Sequence, residues 1–154
     1  MEERMYDIES IIKHRKPMRL IDELLSFDAK SASVLVSITE QSEFYRAEYG
    51  GVPSYIGIEY MAQCIAAKAG ANDLFHHKEV SLGFLLGTRK YQPLVTEFVL
   101  GQTLKVSVTE ITDEEGGLSV FSGQIVDINK PAVILAEAKI NVFRPKDSAS
   151  YLKG

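Results

Sequence analysis

The most constraining feature of this sequence is one alanine-rich segment in a chain whose other periodic stretches alternate. From Tyr55 to Leu74, the residues Ile58, Met61, Ala62, Ile65, Ala66 and Ala69 recur at three- and four-residue spacing, which predicts a long helix with one buried stripe. Pro53-Ser54 supplies the start, with Ser54 as a favourable N-cap. Much of the stripe is alanine, and small side chains let a helix lie very close to a concave sheet.

Around that helix the period is two. Arg19–Phe27 and Ser33–Thr39 read as strands joined by Asp28-Ala29-Lys30, and Glu40–Val52 is less regular. After the helix, a polar loop holds His76 and His77, and Ser81–Tyr91 resumes strand character. Thr103–Thr109 alternates strictly, with Leu104, Val106 and Val108 on one face. A turn at Asp113–Gly117 leads into Leu118–Ile128, whose apolar phase changes near Phe121–Ile125 and suggests a bulge at Gly123. Val133–Phe143 places Ile134, Ala136, Ala138, Ile140 and Val142 on one face. These last three strands predict an antiparallel meander with one wet face.

Length and composition narrow the class. At roughly 150 residues per domain, 154 residues predict one domain over 1–154. With 45% hydrophobic and 25% charged residues, the chain is neither a disordered tail nor a fibrous repeat. No apolar run approaches the ~20 residues of a membrane span. The charged opening MEERMYDIES is unlike a signal or transit peptide, so the expected address is cytoplasmic. A net charge of -4 argues against nucleic acid as partner. Cys64 is the single cysteine, which excludes an internal disulfide and a thiolate-rich zinc site, and no metal is expected. Phosphate-cradling, dinucleotide-binding and nucleophile-elbow motifs are absent. The layout is α+β: a long antiparallel sheet around one central helix, for which the hot-dog fold is the leading candidate. Such a sheet leaves edge strands, and joining two sheets edge to edge predicts a dimer.

The segment GVPSYIGIEYMAQCIAA (51–67) resembles the central-helix signature of the 3-hydroxyacyl-acyl-carrier-protein dehydratases. In that family a Pro-Gly step opens the helix, a carboxylate follows five residues after the Gly, and a Met-Ala-Gln run comes next. Here the match is Pro53-Ser54, Glu59 and Met61-Ala62-Gln63. KHRKPMRLID (13–22) is similar to the family's His-Arg-x-Pro segment, and GFLLGTRKYQPLVTEFVLGQTL (83–104) and LAEAKINVF (135–143) to its later strands. IEYMAQ together with GFLLGTRKY resembles most closely the ApeP-like branch associated with aryl polyene pigment clusters. The family histidine, fourteen residues before the carboxylate, falls on Tyr45, and Glu43, Phe44, Arg46 and Ala47 supply no imidazole.

The resemblance implies elimination of water from a 3-hydroxyacyl chain on acyl carrier protein, giving a trans-2-enoyl product in aryl polyene or fatty-acid-type synthesis. That chemistry needs a base for the proton beside the carbonyl, an acid for the departing hydroxyl and donors for the enolate-like oxygen. Glu59 is the expected acid and His14 the expected base or orienter. Ser54, Tyr55 and Gly57 form the expected thioester site, where helix-start amides lack intrahelical partners. Gln63, one turn after Glu59, either orients that carboxyl or belongs to a polar stripe. Tyr45 either bonds substrate or packs as an aromatic. Cys64 reads as an inert buried thiol. Arg15, Lys16, Arg89 and Lys90 either form a landing site for an acidic carrier or are ordinary solvated charge. No cofactor is required, because the thioester acidifies the proton. The rival readings are a non-catalytic acyl-binding subunit of a heterodimeric dehydratase and an acyl thioesterase; the dimer is then a homodimer or a heterodimer.

Overall fold

A long helix lies in the trough of a six-stranded antiparallel sheet in the computed structural model, which describes residues 6–80, 85–113 and 118–143. In chain order the elements are α1 (Ile8–Ile11), β1 (Glu23–Phe27), β2 (Ser31–Ser37), β3 (Gly51–Pro53), a 3-10 turn (Ser54–Ile56), α2 (Gly57–Phe75), β4 (Leu85–Pro93), β5 (Glu97–Val99), β6 (Thr103–Asp113), β7 (Leu118–Asp127) and β8 (Lys130–Phe143). The large sheet runs β1-β2-β6-β7-β8-β4, and β3 pairs with β5 apart from it. The expected meander is β6-β7-β8, and Leu104, Val106, Val108, Ala136, Ala138, Ile140 and Val142 all face the core. This is the α+β hot-dog arrangement. No helix among the described residues is long and apolar enough to cross a membrane.

Local chemistry explains the turns. Between β1 and β2 the Asp28 carboxylate accepts the amides of Lys30 and Ser31, each at 2.8 Å, an Asx-type turn. The Lys30 bond, foremost, holds the Asp28 carboxyl below its usual range.

Several expectations are corrected. The first strand begins at Glu23 rather than Arg19, because residues 15–22 form an irregular strap tied to α2. The α-helix begins at Gly57, and Ser54 opens a 3-10 turn without capping through its side chain. Gly123 is no bulge: it pairs in register with Val108 and Ala138, and the ladder breaks fall at Glu110/Thr112 and around Val126. Its missing side chain instead admits Met61, whose Sδ would stand 2.6 Å from a Cβ there. The stripe on α2 is also displaced. Tyr60, Met61, Cys64, Ile65, Ala67, Lys68 and Ala71 are buried, whereas Ile58, Ala62, Ala66 and Ala69 are only half-buried. The turn residues 114–117 and the strand start 81–84 lie outside the described residues.

Candidate active site

The start of α2 is fixed by backbone bonds before any side chain acts. Pro53 ends β3 opposite Glu97, and the next amide, Ser54 N–H, donates to Thr96 O at 2.9 Å. The Ser54 carbonyl accepts the Gly57 amide and the Tyr91 hydroxyl of β4. Burial pushes the Tyr91 phenol up to about 12, so it stays a donor at neutral pH. Gly57 lets this happen: a Cβ there would overlap the Tyr91 hydroxyl and stand 3.0 Å from Ile125 Cδ1 and 3.1 Å from Phe98 Cζ. Tyr60 packs its ring on Phe98 with centroids 5.9 Å apart. One amide of the helix start, that of Tyr55, has no backbone acceptor among the described residues, whereas the Ile56 amide closes the 3-10 turn onto Pro53.

Four expected site residues meet here, two of them in altered roles. Glu59 stands exposed in the first turn of α2, and Tyr55 beside it is 59% exposed. Ser54 is buried with its amide committed to Thr96, so the donor open to a ligand is one residue further on, at Tyr55. Gly57 serves packing. Tyr91 was missed as part of this site, since nothing in GFLLGTRKY marks which aromatic turns inward.

Gln63 does not reach Glu59. It is 1% exposed, its Oε1 accepts Leu20 N–H and its Nε2 donates to Met18 O, each at 2.8 Å. A backbone-mimicking amide is therefore the clasp of the N-terminal strap. Further back, the Ile11 carbonyl rests where a Gly70 side chain would be. The strap thus runs antiparallel to α2, and His14 belongs to the stretch between the Ile11 contact at Gly70 and the residues 18–20 held by Gln63. Its Nδ1 is buried without a hydrogen-bond partner. His76 and His77 are exposed beyond the other end of α2, roughly 25 Å from Glu59 along the axis. Tyr45 is half-buried and packs against the core.

The basic residues separate. Arg15 is consumed locally, donating to the carbonyls of Glu9, Ile12 and His14 and lying 3.5 Å from Glu9 Oε1. Lys16 borders a cavity between the strap and the end of β2. Lys90 lies on the outer face of the sheet beside Ser122, Glu137 and Lys139. The Arg89 side chain is outside the described residues. Cys64 is buried, with Sγ 3.5 Å from Val106 O, and burial raises its thiol well above the ordinary range.

The family model for ApeP-like proteins, described as ApeP dehydratase, matches residues 6–153. The chain belongs to the ApeP-like dehydratase family. A 3-hydroxyacyl-[acyl-carrier-protein] dehydratase FabZ of Chlamydia trachomatis is 29% identical over 118 residues, which are 71% of this chain and 75% of that one. Among solved structures, the dehydratase heterocomplex ApeI:P from Xenorhabdus doucetiae superposes with a TM-score of 0.83 at 21% identity, covering 97% of this chain and 98% of that one. A hypothetical thioesterase with coenzyme A from Streptococcus pneumoniae gives 0.60 at 11% identity, covering 79% and 83%. At these identities both structural likenesses speak to fold alone. The candidate site of this chain brings together the Glu59 carboxyl, the Tyr55 amide and a helix start pinned by Tyr91.

Proposed function

We propose that this chain is a subunit of a 3-hydroxyacyl-acyl-carrier-protein dehydratase that gives trans-2-enoyl products, in aryl polyene or fatty-acid-type synthesis. Glu59 carries the reading: an exposed carboxyl at the end of an alanine-rich helix face, four residues past the Tyr55 amide, which has no backbone acceptor among the described residues. In the reaction Glu59 protonates the departing hydroxyl, and the Tyr55 amide holds the thioester oxygen as it gains charge. That amide stands at a helix N-terminus, where the dipole also favours negative charge. The base comes from a partner subunit that covers this face and presents an imidazole to the proton beside the carbonyl. Tyr45 stands where the family histidine falls, and His14 of the same protomer belongs to the strap that runs back along α2 from Gln63 toward Gly70. The partner is a second hot-dog chain with its own histidine. The solved ApeI:P heterocomplex supports that reading by its fold likeness. The carrier reaches the pair as the donor of the acyl thioester, and no diffusible cofactor takes part.

The test is dehydration of a 3-hydroxyacyl-carrier substrate by the purified chain alone and with its co-expressed partner. Turnover confined to the mixture, and lost with Glu59→Gln, is the expected result. Thioester hydrolysis without enoyl product would make it a thioesterase. Full activity alone, abolished by His14→Ala, would place the base on a second copy of this chain. Full activity of the Glu59→Gln mixture would leave the chain as a non-catalytic acyl-binding subunit.

A further inference from the structure

We propose that the cavity between the N-terminal strap and the end of β2 binds a small uncharged molecule bearing hydroxyl groups, one of which enters between Tyr60 and Asp22. The cavity measures about 310 Å3, at the lower end of small-ligand pockets. Tyr60, only 2% exposed, lines it, and its hydroxyl has no hydrogen-bond partner among the described residues. Asp22 lines it too. One Asp22 oxygen, Oδ2, accepts the Ser37 amide at 2.8 Å, which leaves Oδ1 open.

The chemistry of that pair selects the ligand. Burial, with the Asp22 charge adding to it, raises the Tyr60 phenol well above its usual range, so Tyr60 is a donor. Asp22 as a carboxylate only accepts. A group placed between them must accept from one and donate to the other. A hydroxyl does both, whereas a carboxylate cannot donate and an ammonium cannot accept. Formal charge on the ligand has no favoured sign, because Lys16 and Arg19 are matched in the lining by Asp22 and Glu43. Arg19 is further occupied by Glu9, whose Oε2 stands 3.2 Å from its Nε, near enough for an ion pair though not aligned as a hydrogen bond. Leu20 and Val36 supply apolar wall for a short carbon skeleton.

The site is separate from Glu59. Adjacent helical residues project about 100° apart at 3.6 residues per turn, and here one is exposed while the next is buried. The inference therefore does not depend on the proposed function, and its test reads binding alone.

Amide chemical shifts of the full chain would be followed while titrating butane-1,3-diol, its dimethyl ether and 3-hydroxybutyrate. The diol should move the Ser37 and Thr39 amides with a millimolar dissociation constant, the range expected of so few heavy atoms. The ether, which cannot donate, should bind about tenfold more weakly, the value of one lost hydrogen bond. Tyr60→Phe keeps the ring on Phe98, and should cost the diol a similar factor and the ether too, since an ether oxygen still accepts from the Tyr60 hydroxyl. Equal binding of diol and ether, no shifts at saturating diol, or undiminished diol binding in Tyr60→Phe would each overturn the proposal. Tighter binding of 3-hydroxybutyrate than of the diol would overturn its uncharged character.

Discussion

The two sides of α2 present opposite kinds of surface. Toward the sheet stand Tyr60, Met61, Cys64, Ile65 and Ala71, closely packed: Gly123 has no side chain so that Met61 can lie over it. Away from the sheet stand Tyr55, Ile58, Glu59, Ala62, Ala66 and Ala69, exposed or half-exposed, with Met18 at their edge 69% exposed. One side has its partner within the chain, and the other presents a carboxyl among alanines and the larger Tyr55, Ile58 and Met18. Substitutions on the first side should act on stability, and on the second side on chemistry and association.

The largest effect expected is on the packed side. Met61→Ala should lower the unfolding free energy by about 2–5 kcal/mol, since a truncated core side chain leaves a cavity that collapses only in part. Denaturant unfolding would measure it. A loss below about 1 kcal/mol would mean that the helix is not seated over Gly123.

Glu59→Gln probes the open side. It should reduce turnover of the assembled enzyme by about 10²-fold or more, equivalent to roughly 2.7 kcal/mol in the transition state, while the melting temperature stays within a degree or two. A large stability loss in this variant would show that Glu59 is structural, and the contrast between the sides would fail.

How far this contrast is visible in the sequence depends on which force set each element. The meander β6-β7-β8 and its core face are legible, because a half-buried strand must alternate. The central helix is legible as an element, but its buried face is not. Alanine fits both a packed and an open surface, so Ile58, Ala62, Ala66 and Ala69 carry little information about which way they turn, and the lone Cys64 and Tyr60 that do face inward break the aliphatic pattern. Glu59 could be named as a candidate only through its family resemblance. Gln63 could not be placed, since an i,i+4 amide beside a carboxylate looks like its partner in sequence, whereas its actual partners, Met18 and Leu20, lie over forty residues away. Long-range backbone bonds of this kind leave no periodic trace.

Gln63 sits at the seam of the two sides and should behave as neither. Replacing it with Leu keeps the volume but strands Leu20 N–H and Met18 O, each a partly buried backbone group. An unpaired buried group costs about 1–3 kcal/mol, with partial access of water favouring the low end. Hydrogen exchange should then speed up locally at residues 18–20 before the sheet amides are affected. Uniform acceleration across the sheet would mean that the strap is no separate unit.

The smallest effect concerns Tyr91, which joins the sheet to the helix start from the packed side. Tyr91→Phe removes the bond to the Ser54 carbonyl and should cost about 1 kcal/mol at neutral pH. Its sharper signature is alkaline. The phenol shifts from 10.0 in an open chain to about 12 in the fold through burial, so the native state holds this proton more tightly than the unfolded one. The stability linked to it is complete below pH 10 and is lost as pH rises from there through 12. Tyr60 and Cys64 are shifted upward in the same direction by burial, so the wild type and the Phe variant should both weaken in base. Only the difference between them isolates Tyr91. The wild-type advantage should therefore shrink steadily above pH 10, measured by urea unfolding at several pH values. An advantage that stays constant through pH 11 would mean that the Tyr91 hydroxyl is not held against Ser54, and that Gly57 is small for some reason other than making room for it.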